Sequence, residues 1–372
     1  LMFSRLLFKV KFRYLLIISI IGIIFTFYLF FLSAIIFFLK IYVKSKKIIY
    51  LIFVYIFVTF SIFDFLSPKI FFKNSDYYTK SNIEYDINKH YGYYPKSNSK
   101  FNEEIYFNKK LIKKNIYSIN EYGHRDNFNL NDKNENCIVL FGGSIIFGQS
   151  LSDDETLPYF ISRDLNFSHS VYNYGFNGYG PHQFLSKLEN NEISEIIHCD
   201  FLLLIYKFIP DHVARTAGRR SYGENSPRYK IKNNSLIQKG FFSDYPYKII
   251  MKFRKNIRNS KTISSLYDIG IVNDYDKKIY LKILKKNETE ATKNFKNVNF
   301  INIIWYENLG VWNNSESEFK EIYNVLKSKN HIIIDNLKID ENIKKNNIPG
   351  DQHPTKKYNE ILSKEIVKII NK

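Results

Sequence analysis

Five short apolar runs, each bounded by turn residues, constrain this chain most: Cys137 to Phe141, Ser170 to Tyr174, Phe201 to Tyr206, Val298 to Trp305, and His331 to Asp335. Their hydrophobicity is continuous rather than alternating, which is the pattern of strands covered on both faces, as in parallel sheets. Helix-like stretches lie between them. Thr156 to Leu165 follows the acidic Asp153-Asp154-Glu155, and Pro181 to Leu188 follows a glycine turn. Residues 315–329 carry acids first and lysines last, and Thr355 to Ile370 repeats Tyr358, Ile361, Leu362, Ile366 and Ile369 at helical spacing. Strands alternating with helices predict an α/β/α sandwich over residues 133–372. Within it, 207–297 shows no strand signal and reads as a basic helical insertion, with helices expected at Tyr247 to Ile257 and Asp276 to Lys286.

The first 67 residues read differently. Tyr14 to Leu39 is a run of 26 residues without a charge, and about 20 suffice to cross a bilayer core. After the lysine-rich link Lys40 to Lys47, a second uncharged run extends from Ile48 to Phe63. Two transmembrane helices, 14–39 and 48–66, are therefore expected, with the remainder held at a membrane. The flanking charges do not fix an orientation, because Arg5, Lys9, Lys11 and Arg13 on one side match Lys40, Lys44, Lys46 and Lys47 on the other. Residues 68–132, rich in Tyr, Asn and Lys and without a long period, read as a loosely structured lead-in.

The formal net charge of +18 is localised. Residues 1–68 hold eight basic residues and one acid, residues 207–261 hold fourteen basic residues and three acids, and the rest is balanced. A neutral body with one basic insertion implies an anionic partner for that insertion, either lipid headgroups or an acidic glycan. No nucleic-acid-binding module accompanies the charge, so nucleic acid is not the expected partner. Two cysteines, Cys137 and Cys199, are too few for a disulfide scaffold. Each precedes a predicted buried strand. They read as two buried thiols, with a bond between them in an oxidising compartment as the alternative.

Three segments carry chemistry. Gly142-Gly143-Ser144 places a hydroxyl just past the C-terminal end of a buried strand, where ligands bind in open α/β sheets. Asp351-Gln352-His353-Pro354 precedes the last helix; Asp351 is spaced to accept the Nδ1 hydrogen of His353 and leave Nε2 free as a base. Tyr172 to Pro181 reads as the end of a strand and a glycine-rich turn opening a helix, whose backbone N–H groups are suited to stabilise an oxyanion. The order Ser, Asp, His, without a Gly-x-Ser-x-Gly elbow, matches none of the common serine hydrolase layouts. His182, His198 and His212 share no metal-ligand spacing, so neither a metal nor another cofactor is expected.

Taken together, these motifs resemble the SGNH, or GDSL-type, hydrolase superfamily, and within it the membrane-attached bacterial branch. The resemblance runs from about Asn120 to Ile370 and includes Gly123-His124-Arg125-Asp126, the Gly-Gly-Ser block, Asp153 to Pro158, Asn173 to Gln183 and the Asp-x-His-Pro end. It implies a flavodoxin-like five-stranded parallel sheet of order 2-1-3-4-5, which sets the Cys137 strand beside the Cys199 strand. It also implies Ser144 as nucleophile, His353 as base, Asp351 as its orienter, and the backbone N–H groups of Ser144 and Gly178 as the oxyanion hole. The chain departs from the family pattern in three ways. Gly143 stands where the family usually has Asp, and one residue rather than two separates Asp351 from His353. The Asn expected after the strand ending at Tyr206 is missing; the chain reads Lys207-Phe208-Ile209-Pro210-Asp211-His212. Either His212 donates in its place, or two backbone donors remain.

The resemblance implies an O-acyl esterase or acyltransferase acting on acyl groups of a cell-envelope carbohydrate, at the bacterial inner membrane with the catalytic domain outside the cytoplasm. A lipase or lysophospholipase on anionic membranes is the second enzymatic reading. A glycan-binding or assembly protein that keeps the fold without the chemistry is the third.

Overall fold

The protein is described by a computed structural model over residues 27–70, 77–126, 135–220, 223–259, 272–304, 321–322, 324–326, 332–335, 347–349, 351 and 353–372. It divides into two compact units. One contains the helices Phe27–Ser45, Ile49–Ile70 and Tyr247–Asn259. Among the described residues no helix is long and apolar enough to cross a membrane, so the expected spans 14–39 and 48–66 do not appear there as spans. Phe27–Ser45 takes in Lys40 and Lys44, and Ile49–Ile70 takes in Asp64 and Lys69. The first half of the run 14–39 lies outside the described residues.

The second unit holds all the described strands. Its strands are β1 Tyr77–Ser81, β2 Tyr85–Asn88, β3 Gly92–Pro95, β4 Ser99–Phe107, β5 Lys110–Ile119, β6 Asn136–Gly142, β7 Ser170–Gly175, β8 Phe201–Phe208, β9 Pro227–Lys232, β10 Ser235–Phe241, β11 Asn297–Ile304 and β12 Ile332–Asp335. The central sheet runs β7-β6-β8-β11-β12, every neighbouring pair parallel. After its first residue β6 is buried throughout, and β7 is buried throughout, as the unbroken apolar runs require. On one face Ile138, Leu140, Ile301 and Ile303 pack with Leu157 and Ile161 of helix Leu157–Asp164 and with Tyr358, Leu362 and Ile366 of helix Lys356–Ile370. On the other, Val139, Phe141, Leu204 and Tyr206 meet Phe184 and Leu188 of helix Pro181–Glu189, and Tyr280 and Leu284 of helix Asp274–Asn294.

Two segments depart from the sequence reading. The lead-in is ordered: β1, β4 and β5 form an antiparallel sheet and β2 pairs with β3. Its signal is short alternation, since Phe101 and Ile105 on β4 and Tyr117 and Ile119 on β5 turn inward while their neighbours stay wet. The β4–β5 loop is the pair Asn108-Lys109, both in the left-handed region, as a two-residue hairpin with the native twist requires. The insertion contains strands as well as helices. β9 and β10 form a hairpin closed by Asn233-Asn234, at φ 48° and 61°, and asparagine tolerates that region better than most side chains.

Cys137 and Cys199 are joined as a disulfide, with Cα atoms 6.0 Å apart, rather than left as two thiols. Cys137, the second residue of β6, lies opposite Leu202 of β8, and Cys199 lies two residues before β8 begins, so the bond ties two adjacent strands where they start.

Candidate active site

The site lies at the opposite ends of those strands. β6 stops at Gly142, and the chain turns through Gly143 into a single helical turn, Ser144–Phe147, which puts the Ser144 hydroxyl at the sheet edge. Glycine at 143 fits a tight space: a Cβ there would lie 2.4 Å from Arg215 Nη1 and 3.1 Å from the Tyr179 carbonyl oxygen. Arg215 is fixed where it stands, donating from Nε to Asp211 at 2.7 Å and from Nη1 to the Tyr179 carbonyl at 2.7 Å. An aspartate at position 143 would require Arg215 to move.

From the far end of the chain, the segment before helix Lys356–Ile370 delivers the partners of Ser144. Thr355 caps this helix, and Tyr358, Leu362 and Ile366 bury its face in the core, so the preceding loop is held at a fixed place. Backbone bonds from Asp351 N to Ile348 O and from Ile348 N to His353 O close the loop tightly. His353 Nε2 lies 2.7 Å from Ser144 Oγ, and His353 Nδ1 lies 2.7 Å from Asp351 Oδ1. The three side chains form one hydrogen-bonded chain, in which the carboxylate fixes the ring so that Nε2 faces the hydroxyl.

The other Asp351 oxygen is held by residues with no signal in the sequence. Tyr77, the first residue of β1, donates to Oδ2 at 2.7 Å, and Ser150 donates to the same oxygen at 3.0 Å. Burial pushes the Asp351 carboxyl up, but the His353 charge and the hydrogen bonds from His353, Tyr77 and Ser150 outweigh it and leave the group well below the usual carboxylate range. Ser150 sits at φ 67° and is pinned by its N–H donating to the Tyr117 hydroxyl at 2.8 Å. Tyr117 donates in turn to the buried Glu103.

Arg125, part of the Gly123 to Asp126 motif, fastens the same loop. Fully buried, it donates through Nη1 to the carbonyls of Phe147 and Gly148, through Nη2 to that of Leu151, and through Nε to Asp153. Asn173 of β7 adds a bond to the Ile146 carbonyl at 3.0 Å. Every carbonyl from 146 to 148 thus has a polar partner, as the end of a one-turn helix demands.

The glycine-rich turn after β7 borders the same place. Gly178 adopts φ 77°, and the following Tyr179 supplies the carbonyl beside Gly143. Phe176 and Tyr179 pack with Phe147 and with Phe101, Tyr117 and Ile119 of the β4–β5 sheet, which sets the turn against the Ser144 helix. His212, on helix Asp211–Thr216, is also close: its Nε2 would lie 3.3 Å from a Cβ on Gly143. Its Nδ1 shares a 2.7 Å hydrogen bond with the Tyr206 hydroxyl, while Nε2 is buried with no hydrogen-bond partner among the described residues. Burial, reinforced by the neighbouring Arg215, pushes this imidazole well below its ordinary value and leaves it neutral.

Among the other histidines, His182 is fully buried beside Gly180, its pKa lowered to about 3 by burial and by Arg215. His198 lies at the opposite edge, next to the disulfide. No group of three metal-ligating side chains occurs among the described residues.

No family model matches this chain, and no curated protein matches it. Among solved structures it is similar to a member of the lipolytic G-D-S-L family from Veillonella parvula, at 12% identity over 63% of this chain and 98% of that one, with a TM-score of 0.40. It is similar to a catalytic mutant of an acetylxylan esterase from Geobacillus stearothermophilus, at 11% identity over 64% and 94%, with a TM-score of 0.37. It is also similar to a lipase from a goat rumen metagenome, at 14% identity over 63% and 96%, with a TM-score of 0.37. At identities this low a shared outline says nothing of substrate.

Proposed function

We propose that the chain is a serine O-acyl esterase or acyltransferase that works through an acyl-enzyme on Ser144. The observation that carries this reading is the unbroken contact from Ser144 Oγ to His353 Nε2 and from His353 Nδ1 to Asp351 Oδ1, each 2.7 Å. His353 Nε2 takes the hydroxyl proton as Oγ attacks the ester carbonyl, and the Asp351 carboxylate stabilises the imidazolium that forms. The carbonyl oxygen becomes an oxyanion, facing the backbone N–H groups of Ser144 and Gly178, with the neutral His212 as the candidate third donor. Collapse expels the alcohol, which takes the proton back from His353. Water or a sugar hydroxyl then attacks the acyl-Ser144 ester by the same route in reverse, giving a free acid or a transferred acyl group.

The substrate class, acyl groups of a cell-envelope carbohydrate, rests on the sequence resemblance to the membrane-attached branch. Placement of the catalytic unit outside the cytoplasm is favoured by the Cys137–Cys199 bond, since such bonds persist in oxidising compartments. A fluorophosphonate probe is expected to label the wild type, with labelling abolished in Ser144→Ala. Hydrolysis of an activated acetyl ester should fall by at least about 10³-fold in Ser144→Ala and His353→Ala while thermal unfolding stays unchanged. Wild-type protein that is folded yet unlabelled would reduce the site to binding. A C-terminal alkaline phosphatase fusion should be active in cells if the unit lies outside the cytoplasm.

A further inference from the structure

The unit that contains the N-terminal helices also holds Tyr247–Asn259, a helix whose apolar residues face the wrong way for a protein in water. Met251 is buried, and Tyr247 and Arg254, four and three residues from it, lie on the same inward side. Ile249, Ile250 and Phe253 lie on another face as one stripe, 40%, 40% and 45% exposed, and Tyr245 just before the helix is 80% exposed. Ordinarily such a stripe turns to the core. Lys248, Lys252 and Lys255 are exposed and run along one flank of the stripe, and the helix contains no acidic residue. It packs beside helix Phe27–Ser45 of its own unit, and helix Ile49–Ile70 exposes Ile49, Ile52, Phe53 and Ile56.

We propose that Tyr247–Asn259 is an interfacial helix that lies in the surface of an anionic lipid bilayer, with Ile249, Ile250 and Phe253 at the acyl-chain boundary and the three lysines against headgroup phosphates. An apolar stripe bordered by cations on a helix too polar to span is the pattern of in-plane binding. Charge selects the occupant. The basic excess of the chain outside its first 68 residues is confined to 207–261, where fourteen basic residues face three acids. An anionic lipid surface is the partner that satisfies both halves of the pattern, since an acidic glycan answers the lysines and leaves the stripe wet, and a second copy answers the stripe and repels the lysines. The proposal does not depend on the reading of the Ser144 site.

The test uses the full chain reconstituted in vesicles, with a polarity-sensitive fluorophore on Ile250→Cys and, as a reference, on the exposed Thr289→Cys. In vesicles containing phosphatidylglycerol the probe at 250 should shift to the blue and be quenched by nitroxides on the lipid acyl chains, while the probe at 289 stays in water. Lys248→Gln, Lys252→Gln and Lys255→Gln combined should lower the partition of this helix onto the anionic surface by about 10²-fold, read as a several-fold rise in the phosphatidylglycerol content needed for half-maximal quenching. Phe253→Glu, at an exposed position, should expel the probe with unchanged ester hydrolysis. A probe at 250 that stays in water at every lipid composition overturns the proposal. So does one shielded equally in lipid-free protein, which assigns the stripe to a second copy, or one that responds to an acidic polysaccharide and not to phosphatidylglycerol.

Discussion

Asp351 takes a hydrogen bond from each of three residues that lie far apart in the chain or on different elements, Tyr77, Ser150 and His353. Tyr77 and Ser150 touch neither Ser144 nor a reacting atom in this arrangement, so they act by positioning the carboxylate. Tyr77→Phe should therefore lower kcat by roughly 10-fold with little change in KM, and deepen to the loss seen in Asp351→Asn only when combined with Ser150→Ala. A rise in KM alone would assign Tyr77 to substrate contact. The depressed Asp351 carboxyl also has a consequence for stability. Its contribution is complete above the ordinary carboxylate value near pH 4 and is lost as pH falls through the lower folded-state value, so the unfolding free energy should decline in acid. Asp351→Asn should flatten that decline in a urea titration followed from about pH 4 downward. Ser144, Asp351 and His353 were legible in the sequence because each sits in a short motif with a chemical rationale. Tyr77 was not, because one tyrosine among 29 carries no local mark of a partner 274 residues away.

At the scale of elements, strand β7 and the one-turn helix Ser144–Phe147 are packed with no space between them. A Cβ on Gly175 would lie 2.5 Å from the Phe147 backbone nitrogen and 2.7 Å from Ile146. Backbone cannot swing aside as a side chain does. Gly175→Ala should destabilise the domain by about 1–3 kcal/mol, and ester hydrolysis should fall further than folding alone explains, because the helix that moves carries Ser144; a circular-dichroism melt alongside the assay separates the two effects. The buried strands were readable from continuous hydrophobicity, β6 and β7 above all. The strands of 77–119 were not, because few apolar residues alternate inward amid Lys and Asn, and Phe101, Tyr117 and Ile119 are covered by Phe147, Phe176 and Tyr179 of distant segments. The missing family Asn and the Gly143 departure were visible as gaps. That Arg215 and His212 lie beside Gly143 depended on a helix placed across from it that no spacing announces.

At the scale of the whole molecule, the β1–β5 segment belongs to the second unit and contributes Tyr77 to the candidate site. The chain regions on either side of residue 75 belong to different units. The long-range tie in the second unit is the Cys137–Cys199 bond, which closes a separation of 62 residues. Replacing both cysteines with alanine should cost about 2–4 kcal/mol, measured as a shift in the denaturant midpoint at unchanged slope. The bond stands at the opposite sheet edge from Ser144, so the variant should keep its activity per folded molecule. That same bond makes each chain carry a chemical trace of its own itinerary. Protein recovered from cells, alkylated at once and weighed would be two hydrogens lighter and free of alkyl groups if its β6–β8 edge had met an oxidising environment, and doubly alkylated if it had stayed in the cytoplasm. Population by population, the mass spectrum would sort molecules by where they had travelled, without any tag.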